Sequence, residues 1–290
     1  MATVEDSLLQ QQGPDRVQYA TGMLLGAEDF QAEQEYHRGR LARALTYTMG
    51  YGTLAGLEVA HEPAQEPVGE SPARGERLLV TPGLAIDRLG RLIEVTGSRC
   101  LRLDEWYLAA SPQQLRLAWH EGGSLWTDSP AGVAVDLFIR FVVCKRGKTP
   151  AFSSDAGDSF DSITDARLRD SCELELILRQ ESNPALPQPQ WPDFATDAAN
   201  LREAIFNAWQ EGSAYAAGTE LSALAEHVAG QGTADLFLAR LLLPADQGPI
   251  GGRPTRRQEE AVVVRNDLRP FVVTAAALAR WLGIPVMASP

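Results

Sequence analysis

The chain has 290 residues, room for one large domain or two modest ones, and a hydrophobic fraction of 44% that can bury a sizeable core without disulfide staples. With 26 Lys and Arg against 38 Asp and Glu, its formal charge is −12, which leaves no electrostatic reason to seek DNA, RNA or anionic lipid. No apolar run approaches the roughly 20 residues of a membrane helix, so membrane insertion is not expected.

Residues 1–15 read as a loose polar tail. They lack the basic start and apolar middle of a secretory signal. The three cysteines, Cys100, Cys144 and Cys172, are odd in number and widely spaced, so neither a disulfide framework nor a metal pattern follows. Cys144 ends an apolar run and reads as a buried thiol. These features lead us to expect a protein made in the cytoplasm, in a reducing compartment.

The first strong pattern predicts a helix over residues 27–48. Phe30, Gln34, His37, Leu41, Leu45 and Thr48 fall on one stripe at helical spacing. Glu28 and Asp29 lie in the first turn, where the helix dipole favours anions. Glu33 and His37 are i,i+4 partners, and Glu35 and Arg38 are i,i+3 partners. Met49-Gly50-Tyr51-Gly52 ends the helix, and a short strand follows over 53–59. Residues 61–75 read as an exposed loop. Residues 77–87 and 91–95 read as two strands around Arg88-Leu89-Gly90, a hairpin with Gly at its tight position.

Further strands are predicted over 133–145, 172–180, 235–242 and 261–265. Residues 147–162 and 244–258 read as loops. A helix is predicted over 195–211 with Phe206 and Trp209 on its inner side, and another over 274–282 with Thr274 as N-cap. The irregular run of strands, with helices near both ends, predicts an α+β, mainly β fold. We expect a β-sandwich-like body, an N-terminal strand-helix element and a short C-terminal helix. The proline-rich stretch 183–192 is the best candidate boundary. It divides a β-rich domain at 16–182, which carries the strand-helix element, from an α+β region at 183–290. Equally, it is a loop within one domain.

Reactive chemistry is sparse. None of the four histidines, His37, His61, His120 and His227, is paired as H-x-x-x-H or H-E-x-x-H, so no zinc site is expected. No G-x-S-x-G elbow or phosphate-binding G-x-x-x-x-G-K-[ST] loop occurs. Asp155, Asp158 and Asp161 invite a calcium reading, but no Glu sits at the twelfth position, and a solvated acidic loop is the default. Asp87 beside Arg88 and Arg91 reads as a turn aspartate. Asp87, Glu94 and Asp104 are the carboxylates a hydrolase would draw on, with no spacing argument to support them. Trp119 and Trp126 flank Gly122-Gly123 and suit either a sugar-stacking face or anchors of core and interface. We therefore expect no enzyme, no cofactor and no metal.

Two segments carry a resemblance. The first comprises Thr21-Gly22-Met23-Leu24-Leu25, Glu28-Asp29-Phe30-Gln31, Gln34-Glu35-Tyr36-His37, Gly50-Tyr51-Gly52 and Gly56-Leu57. The second is Val80-Thr81-Pro82-Gly83-Leu84-Ala85-Ile86-Asp87 with Gly90-Arg91. Together they resemble the N-terminal signature of proteins encoded with phage-tail-like contractile injection systems. The first is also similar, more distantly, to the start of the type VI secretion baseplate protein that joins wedge and membrane complex. There, His usually stands at the position of Asp29. The resemblance covers about residues 16–97 and is weaker at 165–170 and 234–241.

The resemblance implies a structural or adaptor subunit at the baseplate or cap end of a tube and sheath. Tube, sheath, baseplate or cap proteins would be its neighbours, it would form a homo-oligomer or ring, and it would pass from the cytoplasm into the assembled particle. The interface candidates are Met23, Leu24, Asp29, Phe30, Glu33, Gln34, Tyr36 and His37. A particle-borne cell-wall hydrolase and a carbohydrate-binding module are the alternatives.

Overall fold

A computed structural model describes residues 3–4, 6, 8, 15–67, 72–150, 163–190, 198–216 and 220–283. In chain order they form β1 (Thr3–Val4), α1 (Ala27–Met49), β2 (Gly52–Gly56), β3 (Val59–Glu62), β4 (Arg77–Val80), β5 (Gly83–Ile86), β6 (Leu92–Val95) and β7 (Arg99–Arg102). Then come α2 (Leu103–Ala109), α3 (Pro112–Leu117), β8 (Trp119–His120), β9 (Gly132–Pro150), β10 (Ile163–Leu178) and α4 (Ala198–Asn207). The chain closes with β11 (Leu236–Asp246), β12 (Thr255–Arg256), β13 (Val263–Arg265) and α5 (Ala275–Trp281). The fold is α+β and mainly β, as the sequence pattern predicts.

One large antiparallel sheet is built on β9. β8 and β10 pair along one edge, β11 and β1 along the other, and β12 and β13 extend it beyond β11. Residues 236–245 of β11 are all buried. A strand buried on both faces reads as a continuous apolar run rather than an alternation. On one face Val133, Val135, Leu137 and Ile139 join the main core. On the other, Phe138 meets Phe237 edge-on at 5.6 Å.

Two three-stranded sheets, β2-β5-β6 and β3-β4-β7, pack on the same core. They arise from two kinked strands. The strand expected over 53–59 breaks at Leu57, which takes φ 56°, and the strand expected over 77–87 breaks at Thr81-Pro82. Pro82 has no amide hydrogen to donate. Gly83 makes the crossing possible, because a Cβ there would lie 2.3 Å from the Ala55 carbonyl oxygen. Arg269 holds the kink by donating to the Leu57 carbonyl at 2.5 Å. Asn266 beside it pairs with Val59 through both its amide oxygen and its amide nitrogen, each at 2.9 Å.

Several expectations are corrected. The residues read as a loose tail include β1, which adds to the edge of β9, and Asp6, which is buried between Arg38 and Arg91 at 3.0 and 3.2 Å. Part of the expected 147–162 loop is strand, because β9 runs on to Pro150 and β10 begins at Ile163. Polar residues continue those strands because cross-strand backbone pairing needs no apolar side chain. β7, α2, α3, β8 and β12, the last within the expected 244–258 loop, are short elements that the sequence pattern does not predict. Phe206 and Trp209 are 80% and 53% exposed rather than inward. Trp209 lies over the Tyr47 ring at 5.3 Å instead. The expected boundary at 182/183 runs through the large sheet: β9 lies before it, and its hydrogen-bonded neighbour β11 after it. Asp155, Asp158, Asp161, Trp191 and residues 195–197 lie outside the described residues.

Candidate assembly surface

The N-terminal element begins with the turn at Thr21-Gly22 and enters α1 through Gly26, whose extended backbone (φ −97°) serves as N-cap. Gly26 has no side chain to cap the helix. Asp29 partly compensates, its Oδ2 accepting the Gly26 amide at 2.8 Å. One turn on, Glu33 and His37 pair at 2.9 Å. Tyr36 sets its ring edge-on to His37 at 5.4 Å. Asp29 and Glu33 thus make their side-chain bonds within this element.

The body holds α1 by its second half. Arg38 bonds to Asp6, Arg43 lies over the Tyr215 ring at 4.9 Å, and Ala42 packs against the β5–β6 hairpin. At the C-terminal end, Gln190 donates to the Tyr51 carbonyl and accepts its amide. The stripe of Phe30, Gln34, His37, Leu41 and Thr48 therefore faces solvent, with Leu45 half-buried. The helix buries its other face, where Ala42 is small enough for a close approach.

The eight interface candidates sit on this projecting element. Leu24 is 94% exposed, Phe30 53% and Met23 43%. Gln34 and His37 are exposed; Asp29, Glu33 and Tyr36 are half-buried. The structure brings Glu33, Tyr36 and His37 together and ties Asp29 to the helix start.

The carboxylates considered for hydrolysis do not form a site of this kind. Asp87 has no exposed surface. One of its oxygens accepts the Leu89 and Arg91 amides at 2.9 Å each, and the other accepts Arg91 Nε at 2.6 Å. It is the turn aspartate of the hairpin. Burial raises its pKa, against the opposing pull of Arg91. Glu94 is an exposed β6 residue, and Asp104 accepts the Glu105 amide on α2. Trp119 donates to the Ala245 carbonyl at 2.8 Å and packs on the core, while Trp126 lies under Arg265 at 5.5 Å. His120 bonds to the Arg179 carbonyl, His227 to the Asp235 carbonyl, and His61 to Glu76. Among the described residues no group of three or more His, Cys, Asp or Glu could hold a metal ion, and no helix is long and apolar enough to cross a membrane.

Two features escaped the sequence reading. One is a cleft of about 460 Å³ between the end of α1, residues 188–190, α4 and residues 221–226. Arg88 enters its wall and donates to the Ser222 and Thr233 carbonyls. Glu226 lies there too, its pKa raised by burial. The other is a buried charge cluster. Arg240 grips Asp136 with bonds of 2.7 and 2.9 Å, and Arg179 approaches the same carboxylate at 3.2 Å. Burial raises the Asp136 pKa, opposed by both arginines. A signal was present: a single acid in the apolar run of β9 and a single base in that of β11.

No protein-family model matches the chain, and no curated protein matches it. Fold and surface together define an α+β, mainly β protein that presents a helix held to the body at one end; the strand expected before that helix is absent, because residues 23–26 pair with no neighbouring strand.

Proposed function

We propose that the protein is a structural or adaptor subunit of a phage-tail-like contractile injection particle, placed at the baseplate or cap end of the tube and sheath. It works by protein–protein assembly and needs no cofactor. The observation that carries this reading is the N-terminal half of α1. Apolar side chains at Met23, Leu24 and Phe30 lie open beside Asp29 and Glu33, on an element that makes its own local bonds. Exposed apolar groups edged by charge suit an interface core and rim. The N-terminal resemblance supplies the kind of neighbour. Ring symmetry would multiply such contacts by avidity.

The test is Asp29→Lys with Glu33→Lys. The isolated chain should stay folded by circular dichroism, and the double variant should be missing from purified particles. Particles carrying it at normal occupancy would overturn the docking role of the helix. Particles that never contain the wild-type chain would overturn the reading as a whole.

A further inference from the structure

Beyond the body, β9 and β10 continue as a two-stranded ribbon. The ladder runs from Ile163↔Pro150 through Arg167↔Arg146 to Arg169↔Cys144. Residues 145–149 and 165–170 are exposed throughout. In a chain of net charge −12, residues 145–149 and 165–170 hold five cations against two carboxylates. Lys145 pairs with Asp165 at 3.0 Å. Among the described residues no carboxylate lies within ion-pair distance of Arg146, Lys148, Arg167 or Arg169. Arg146 and Arg167 stand directly opposite each other. Like charges facing across a ladder repel, so the free chain carries an unfavourable arrangement that an acidic partner would relieve.

A matching surface exists on the same molecule. Glu28, Asp29, Glu33 and Glu35 precede the first cation of α1. Seven helical steps spread these carboxylates over about 10 Å of axis, with Asp29 and Glu33 on one side and Glu28 and Glu35 on another. The four free cations spread over about 13 Å of ribbon. Leu168, 62% exposed, lies on the opposite face of the ribbon from Arg167 and Arg169, and Phe30, 53% exposed, follows Asp29. Among the described residues no ion pair joins the two surfaces within one chain.

We propose that the basic ribbon of one copy docks on the acidic first turns of α1 of a second copy. The inference rests on the reading of α1 as the docking element and names its occupant. The contact is heterologous, head to tail, and such contacts close into rings when the rotation per step allows. A protein partner fits better than a polynucleotide. Asp165 and Asp170 interrupt the cations, and the acidic body would repel a polyanion.

The experiment is sedimentation velocity on the purified full chain at low and high ionic strength, with three variants. Wild type should self-associate with rising concentration, and less so in high salt. Arg146→Glu with Arg167→Glu, and separately Asp29→Lys with Glu33→Lys, should each weaken association by about tenfold or more. The chain carrying all four reversals should recover to within about threefold of wild type. The ribbon variant exchanges one like-charged exposed pair for another, so its fold is expected to hold, and circular dichroism checks this. A wild type that stays monomeric at every concentration overturns the proposal. So does association indifferent to both double variants, a folded quadruple variant that fails to recover, or a monomeric wild type that binds a polynucleotide through Arg146 and Arg167. A monomeric wild type would leave the particle reading standing, because that reading is decided by occupancy in particles.

Discussion

Gly90 lies flat against the Ala42 peptide of α1: a Cβ on Gly90 would sit 1.9 Å from the Ala42 carbonyl oxygen and 2.6 Å from Thr46 Oγ1. Gly90 also takes φ 75°, a conformation that side chains resist. The hairpin that Asp87 organises is thus the seat of the helix. Gly90→Ala is expected to cost about 2–4 kcal/mol, through backbone strain plus a displaced helix. Gly97→Ala, with nothing within 4 Å, is the control and should change little. Urea denaturation followed by tryptophan fluorescence compares the two.

The buried cluster of Asp136, Arg240 and Arg179 ties distant segments together. Arg240 also donates to the Pro184 and Ala185 carbonyls at 2.9 and 2.8 Å, so it fastens the proline-rich stretch to the large sheet. Asp136→Ala strands two buried guanidinium groups and is expected to cost about 3–5 kcal/mol. Arg240→Met should additionally speed proteolytic cleavage within 184–190. Cleavage there at the wild-type rate would show that other contacts hold the stretch.

Asp235 gives stability a specific pH dependence. Burial pushes its pKa up to about 6, Glu175 adds to the rise, and Arg140 and Arg91 oppose it. Among the described residues its buried Oδ2 has no hydrogen-bond partner. A carboxyl raised in the folded state binds its proton more tightly there than in the unfolded chain. Its contribution is therefore full below the unfolded pKa and is lost as pH rises through about 6. The pKa of half-buried His227, whose ring bonds to the Asp235 carbonyl, is lowered by burial, and this acts in the opposite sense. The informative quantity is thus variant minus wild type. Asp235→Asn should raise the melting temperature near pH 8, with the difference vanishing by about pH 4.

The outward stripe of α1 should be nearly silent in stability. Phe30→Ser and Leu41→Ser are expected to change it by no more than about 0.5 kcal/mol, since both side chains already face water. Ala42→Leu, on the buried side of the same helix, should cost about 1–3 kcal/mol by overpacking against the hairpin. Thermal denaturation separates the two faces. A large loss at Phe30 would mean that the body holds the first half of the helix after all.

What the sequence by itself determined was local. α1 falls almost where the pattern puts it, because acidic first-turn residues and a glycine after Met49 act within a few residues. Thr274 caps α5 through a bond from Ala277 N, and Asp87 turns its hairpin, both contacts of short sequence separation. The tertiary structure decided the rest. Which side of α1 is buried depends on Gly90, more than forty residues away, and no periodicity within the helix carries that information. The kinks at Leu57 and Pro82 need two strands and Arg269 from near the other end. The Asp136–Arg240 pair spans 104 positions, and each charge alone reads only as an interruption of an apolar strand. Burial and charge pairing are set by neighbours in space, and a pattern along the chain records those neighbours only when they are also close in sequence.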